Sequence, residues 1–377
     1  MLGLRGVPAR QGGVERHVEE LGARLAARGH EVTVFCRTNY GRDRRPDHRG
    51  MRLRHLPTIG TKHLDAVAHT ALATARSLTG YDVVHFHALG PGLLTPLPAA
   101  LSRAAVVQTV HALDGERAKW GPAARSVLRA AEWASARVPD ATITVSAHLA
   151  RHYRERFGTA TTPILNGADA ARDLPGSDAG ATLRRFGLSP GRYVLFVGRL
   201  VPEKGPELLV RAFRRLADEE LRLVLVGGSS FTDRFTRRLA ALAAPDPRVV
   251  LTGYLYGPVL DELYANAAVF VSPSALEGGP PLTLLEAATF GTPVVVSDIP
   301  PQLEALDGAG PGRRTFAAGD EGSLAAQLRA ALADPGAERS AAQGLRRHVL
   351  AHHRWDDVAA ATEAVYRGAL AAKQAGG

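Results

Sequence analysis

Cysteine, long apolar runs and aromatic residues are all scarce in this 377-residue chain, and each scarcity excludes something. A single Cys36 rules out an internal disulfide and any zinc centre built on cysteines. It ends the β-rich run Glu31-Val32-Thr33-Val34-Phe35-Cys36, so it reads as a buried, inert strand residue suited to a reducing compartment. No stretch approaches the roughly 18 apolar residues that a membrane-spanning helix needs. Even the apolar segment Leu89–Leu101 is interrupted by Pro91, Pro96 and Pro98. No secretory leader is visible, because Met1-Leu2-Gly3 runs straight into a Gly/Arg loop, and a cytoplasmic location is expected. The Gly-x-Ser-x-Gly elbow, the P-loop and Asp-x-Asp are also missing. These absences leave no nucleophile constellation and no carboxylate pair to hold a diphosphate through a metal. Arg and Lys must then carry such a charge, and no metal is expected.

Positive charge is abundant: the formal net charge is +9. Residues 1–60 hold 12 Arg against 6 acids, concentrated partly in Arg42, Arg44, Arg45, Arg49, Arg52 and Arg54. Such a run can meet an anionic membrane surface or a diphosphate-bearing acceptor, or it can be a solvated Arg-rich loop. Nucleic acid is disfavoured, since few aromatic residues interleave with the arginines.

At 377 residues and 45% hydrophobic content the chain can build two cores. Gly12-Gly13 opens a helix whose Val14, Val18, Leu21 and Leu25 share a face and which stops at Gly29. Strands are expected at 31–36, 51–56, 82–86, 105–110, 141–145 and 162–165. A second series follows the linker 173–178, with strands at Tyr193–Val197, Leu221–Val226, Val249–Leu251, Val269–Val271 and Val294–Val296. Helices at about 204–218, 232–244, 258–266 and 281–290 fill the gaps, and a helical tail covers 320–372. Near-continuous apolar strands alternating with helices predict parallel sheets covered on both faces. The expected class is α/β, two Rossmann-like doubly wound domains facing each other across a cleft. Only Met1-Leu2 precedes the first loop where a full strand should lie, so the sheet there is expected to be clipped.

Three segments can carry chemistry. The first loop, Gly3 to Gly13, combines glycines with a helix N-terminus, which suits an anion, or it is a purely structural turn. It does not match the dinucleotide fingerprint. In the second half, Gly198-Arg199-Leu200-Val201-Pro202-Glu203-Lys204-Gly205 follows a strand directly. Two cations at that carboxyl edge suit a diphosphate; their alternative is pairing with surface acids. Glu277 then stands in a Gly/Pro loop and Glu286 in the next helix, where carboxylates can accept hydrogen bonds from sugar or ribose hydroxyls. Their alternatives are a helix-start partner and a surface charge. Of the 14 histidines, His85, His87 and His111 each end a strand. His85 and His87 are expected on opposite faces, so that both would not line one site, and no third zinc ligand shows convincing spacing.

Together these residues resemble the retaining glycosyltransferase family 4, with its two-domain GT-B fold. The likeness covers nearly the whole chain and rests on Gly-Arg-Leu-x-x-x-Lys-Gly at 198–205, Thr144-Val145-Ser146, Leu165-Asn166-Gly167, and Ser272-Pro273-Ser274 through Glu286. The opening Arg5–Gly13 is similar to a subgroup that includes rhamnosyltransferases of bacterial surface polysaccharides. The resemblance implies an acceptor domain over 1–172, closed by a C-terminal helix at about 356–377, and a donor domain over 173–355. It implies that Arg199 and Lys204 bind the donor diphosphate and stabilise the leaving nucleotide, that Glu277 holds sugar hydroxyls and that Glu286 holds the ribose. Gly12 and Gly13 would present amides to the donor phosphate, and His111 would stand beside the transferred sugar. Asn166, Gly198, Gly278, Leu282 and Thr283 complete the expected donor set. Eight residues separate Glu277 from Glu286, one more than the family usually has, so either the loop bulges or Glu277 is displaced.

The expected reaction moves a hexosyl or deoxyhexosyl group from a nucleoside-diphosphate sugar to a hydroxyl acceptor, such as a lipid-linked sugar, in surface polysaccharide or glycoconjugate synthesis. Retention is implied by the resemblance. A sugar-nucleotide epimerase of the same fold, or an inactive sugar-nucleotide-binding subunit, are the alternative functions. Peripheral contact with an anionic membrane through the basic N-terminal half is a further expectation.

Overall fold

The computed structural model describes residues 1–10, 12–41, 44–59, 64–113, 115, 121–172, 180–229, 233–310 and 312–375. The expected linker at 173–178, Gln11 of the first loop and Arg42 of the basic run lie outside the described residues. The chain divides into two compact units, Met1–Asn166 with Trp355–Gly377, and Gly167–Arg354.

In the first unit the strands are β1 (Thr33–Arg37), β2 (Asp47–His48), β3 (Met51–Leu56), β4 (Val83–His87), β5 (Ala105–Val110), β6 (Ala141–Thr144) and β7 (Thr162–Pro163). They form two sheets, ordered β1-β3-β2 and β4-β5-β6-β7. The two-residue lead-in joins them. Leu2 bridges Phe86 in parallel, donating its N–H to His85 O at 3.0 Å and accepting from His87 N–H at 2.9 Å. Met1 O accepts from Phe35 N–H at 3.1 Å on the other side. Short as it is, the lead-in is paired along both edges, and Leu2 is fully buried. The expectation of parallel pairing fails at β2, which runs antiparallel to β3. Its two-residue turn has φ of 50° at Arg49 and 80° at Gly50, the doubly left-handed geometry of a tight hairpin.

The second unit holds β8 (Tyr193–Val197), β9 (Arg222–Val226), β10 (Val249–Gly253), β11 (Val269–Ser272), β12 (Val294–Ser297) and β13 (Arg313–Phe316). They form one parallel sheet in the order β10-β9-β8-β11-β12-β13. Alternate residues of β8 enter opposite cores: Tyr193 and Leu195 pack on one face, Val194 and Phe196 on the other. This is the two-sided burial that the apolar runs imply. Two strands depart from expectation. The edge strand β10 is only half covered despite its valines. The opposite edge, β13, begins Arg313-Arg314 and gives no apolar run, yet pairs with β12 through its backbone.

The helical tail is three helices: Glu321–Ala333, Pro335–His352 and Trp355–Ala375. The last belongs to the first unit, where Arg28 Nε donates to Glu363 at 2.7 Å and Lys373 Nζ donates to Ala99 O at 3.2 Å. Among the described residues, no helix is long and apolar enough to cross a membrane.

Candidate functional site

In the second unit the site grows from the carboxyl end of β8. Gly198 N–H donates to Val226 O at 2.9 Å, which holds the ends of β8 and β9 side by side. At Gly227, φ is 145° and a Cβ would lie 1.8 Å from Gly198 O, so only glycine fits there. Arg199 follows, half-buried. A 3-10 turn at Pro202–Lys204 then ends in Gly205, with φ of 67°. A side chain at Gly205 would place its Cβ 2.1 Å from Pro273 O, so the turn lies flush against the loop after β11.

That contact brings Lys204 and Glu277 together. Lys204 Nζ forms an ion pair with Glu277 Oε1, with the two side chains only 20% and 11% exposed. Ser274 Oγ donates to the same carboxylate oxygen at 2.7 Å. Behind it, Ser297 Oγ donates to Ser274 O at 2.5 Å, and Gln302 Nε2 donates to Ser297 Oγ at 2.9 Å and to Ser272 O at 3.2 Å. The loop carrying Glu277 is therefore anchored by a buried polar chain. Gly278 to Pro281 pack inside, and Glu277 still reaches Lys204 across the longer spacing. Leu282 and Thr283 open the helix Leu282–Thr289, and Glu286 lies within it. Tyr264 Oη donates to Glu286 Oε2 at 3.2 Å. Burial, then the Glu286 carboxylate, push the Tyr264 hydroxyl well above its ordinary pKa, so it stays a donor.

In the first unit, Gly12 caps the helix Gly13–Ala27 with φ of 97°. The neighbouring space is taken by Glu15, whose Oε2 lies 2.3 Å from where a Gly12 Cβ would be. Its Oε1 accepts from Arg5 N–H at 3.1 Å, and burial raises its pKa. Two residues on, His17 faces inward. His85 and His87 share a face, as residues two apart on a pleated strand do, with ring centroids 4.1 Å apart. The expectation of opposite faces is thereby corrected. His87 Nδ1 and His111 Nε2 lie 3.2 Å apart, and His17 Nδ1 lies 3.0 Å from Asn166 Oδ1. Trp355 meets the His17 ring edge-on at 5.5 Å. His85 is held at both nitrogens, by Tyr366 Oη at 2.6 Å and Thr109 Oγ1 at 2.7 Å. Burial holds His17 down to about 4 and pushes His85, His87 and His111 well below the ordinary value. All four are neutral imidazoles at neutral pH.

The expected residues thus fall into two groups: Gly198, Arg199, Lys204, Glu277, Gly278, Leu282, Thr283 and Glu286 in the second unit, and Gly12, Gly13, His111 and Asn166 in the first. Sequence reasoning passed over His17 and Tyr264, and it placed Ser274 in a motif and Trp355 and Tyr366 in the closing helix without giving any of the three a role in the site. His17 did carry a signal, since it sits beside Val18 on the apolar face of its helix. The basic run is partly neutralised: Arg49 donates to both oxygens of Glu20 at 2.9 Å, and Arg52 pairs with Glu31 at 3.3 Å. Arg44, Arg45 and Arg54 are exposed.

Comparison with known proteins adds the family. Residues 11–172 match the model of Glycosyltransferase Family 4, and residues 191–334 match Glycosyl transferases group 1. The D-inositol 3-phosphate glycosyltransferase of Acidothermus cellulolyticus is 30% identical, covering 96% of this chain and 87% of that protein. The glycogen synthase of Mycobacterium tuberculosis is 33% identical over 96% of this chain and 92% of its own. The chain belongs to glycosyltransferase family 4. Among solved structures, the sucrose-phosphate synthase of Thermosynechococcus elongatus superposes with a TM-score of 0.81 at 26% identity, covering 96% of this chain and 94% of that one. The glycosyltransferase has the GT-B architecture of two Rossmann-like α/β domains. Three of its relatives are described as an inositol phosphate glycosyltransferase, a mannosyltransferase and a glycogen synthase, and none of these three descriptions names rhamnose.

Proposed function

We propose that the chain transfers a hexosyl or deoxyhexosyl group from a nucleoside-diphosphate sugar to a hydroxyl acceptor, with retention of configuration. The observation that carries this reading is the Lys204–Glu277 pair at the carboxyl edge of β8, braced by Ser274. An ammonium fixed in a half-buried site stabilises charge arriving on a departing diphosphate, and its fixed position avoids reorganisation during the step. Arg199 and Lys204 take the diphosphate, Glu277 the sugar hydroxyls and Glu286 the ribose. Gly198 and Gly278 are assigned to the same donor site, and Leu282 and Thr283 offer helix-start amides. In the first unit, His111 is assigned to the transferred sugar and Asn166 to the donor. The Gly12-Gly13 turn is assigned to the donor phosphate, beside Glu15, whose burial raises its pKa.

With no nucleophile constellation legible in the sequence, front-face attack assisted by the leaving phosphate fits retention best. The reading requires no metal at the diphosphate. The resemblance of residues 5–13 favours a deoxyhexosyl donor and a role in surface polysaccharide or glycoconjugate synthesis. A lipid-linked acceptor, met at an anionic membrane through Arg44, Arg45 and Arg54, suits the basic N-terminal half. A thermal-shift screen against UDP, GDP, ADP and dTDP sugars tests the donor, followed by incubation of the labelled donor with and without candidate acceptors. Label passing to an acceptor supports transfer. Conversion of the donor sugar itself, with no acceptor present, refutes transfer and indicates epimerisation.

A further inference from the structure

The histidines of the first unit form more than a wall. His17, His87 and His111 each offer one ring nitrogen, and these atoms lie within 4.8 Å of one another. We propose that these three histidines form a binding site for a divalent transition ion of the zinc class, with water in the open fourth position.

Three observations carry the proposal. First, the His87 Nδ1 to His111 Nε2 separation of 3.2 Å matches the spacing of about 3.3 Å between two nitrogens bound tetrahedrally at about 2.05 Å from zinc. Second, His87 is fully buried, and its Nε2 has no hydrogen-bond partner among the described residues. If His87 Nδ1 donates to His111, Nε2 is an orphan acceptor; if Nδ1 accepts, Nε2 is an orphan donor. Either way no second partner locks this ring in one tautomer, and an ion at Nδ1 selects the form with the proton on Nε2, which frees the Nδ1 lone pair for the metal. Third, His17 has an outer partner in Asn166 Oδ1 at 3.0 Å. Donation from Nδ1 to that oxygen fixes the tautomer with the Nε2 lone pair turned away from it, which is how ligating histidines are commonly oriented. Neutral imidazole is the ligating form. His85, held at both nitrogens by Tyr366 and Thr109, is excluded as a ligand and instead flanks the site. Three imidazoles without carboxylate or thiolate favour zinc, copper or nickel over magnesium or calcium.

The consequence rests on the assignment of His111 to the transferred sugar: an ion bound there occupies that ring, so metal and transfer oppose one another. Untagged full-length protein, stripped with a chelator, is titrated with Co2+ and followed by its visible d–d absorption, then back-titrated with Zn2+. The expected result is a single tetrahedral-type Co2+ site that Zn2+ displaces. His17→Ala and His87→Ala abolish it, and Asn166→Ala weakens it about 10- to 100-fold. A competing surface cluster exists at His348 and His352, whose rings lie 4.7 Å apart, and the double variant His348→Ala/His352→Ala keeps the signal. Circular dichroism checks that each variant is folded, and His17→Gln or His87→Gln replaces an alanine variant that is not. Folded wild-type protein without the absorption overturns the site, as does a signal lost with His348 and His352 but kept in His87→Ala. The absorption does not depend on turnover, so the site and the transferase reading fail separately.

Discussion

Replacing Lys204 by alanine removes the ammonium that Glu277 holds in place at the edge of β8. A unit charge pair about 4 Å apart at an effective dielectric near 20 is worth about 4 kcal/mol, which bounds what Lys204 can give a departing diphosphate. Removing one fixed electrostatic donor from a transition state costs about 2.7–4 kcal/mol, or about 100- to 1000-fold in kcat. The cost to the fold is far smaller. The pair is partly solvated, with side chains 20% and 11% exposed, and Glu277 keeps its hydrogen bond from Ser274. About 1 kcal/mol of stability is at stake, or a Tm lower by about 2–4 °C. Nucleotide release from the donor identified by thermal shift, measured with acceptor present, gives kcat, and a melting curve on the same sample gives the fold. Lys204→Arg should recover part of the rate. A folded Lys204→Ala protein that turns over within about fivefold of wild type refutes the reasoning, because the leaving diphosphate would then not depend on this cation.

Other outcomes follow from the same geometry. Glu286→Gln should weaken nucleoside-diphosphate binding by about 10- to 100-fold with kcat nearly unchanged, read by calorimetry, since the charged acceptor would be replaced by a neutral one; unchanged affinity removes Glu286 from the ribose. Gly205→Ala forces a Cβ to within 2.1 Å of Pro273 O at a φ of 67°, so a loss of at least about 3 kcal/mol is expected in urea unfolding. A change below about 1 kcal/mol would show that the turn does not lie against that loop. His69 is buried, and its pKa is lowered to about 4 by burial and by Arg37. The unfolded chain takes up this proton near pH 6.5 and the native one only near 4, so the stabilisation is complete above pH 6.5. It drains away as pH falls towards 4, by about 3 kcal/mol in all. Urea midpoints of wild type and His69→Gln should therefore converge or cross over that window, and a constant difference argues against a buried neutral His69.

Strands with an unbroken apolar run, such as Ala105 to Val107 in β5 or Val294 to Val296 in β12, announced themselves, because two-sided burial admits little else. Arg313-Arg314-Thr315-Phe316 did not, since an edge strand can pair through its backbone while burying only one of its four side chains, Phe316. The hairpin at Arg49-Gly50 was hidden for a related reason: a two-residue strand has no period to read. In the site, Lys204 and Glu277 were each legible as chemistry-bearing residues from their glycine-rich surroundings. Their ion pair was not, because it depends on Gly205 letting one loop rest on another, across a separation of 73 residues between the partners. The histidines show the limit most clearly. His85, His87 and His111 drew notice at strand ends, but His17 joins them from a helix, and only the folded arrangement of the helix Gly13–Ala27 against β4 brings it there.

The first unit is discontinuous in the chain, and that bears on how the protein is made. Trp355 and Tyr366, which brace His17 and His85, leave the ribosome only after the whole of Gly167–Arg354 has been translated. At about 5–20 residues per second, the histidine cluster waits roughly 10–40 s for its last partners. During that interval buried imidazoles are open to solvent, stray metal ions and chaperones. The second unit, contiguous in sequence, faces no such wait. Expression of residues 1–166 alone should consequently yield a nascent-like, aggregation-prone species, whereas supplying the C-terminal helix in trans offers a way to complete it.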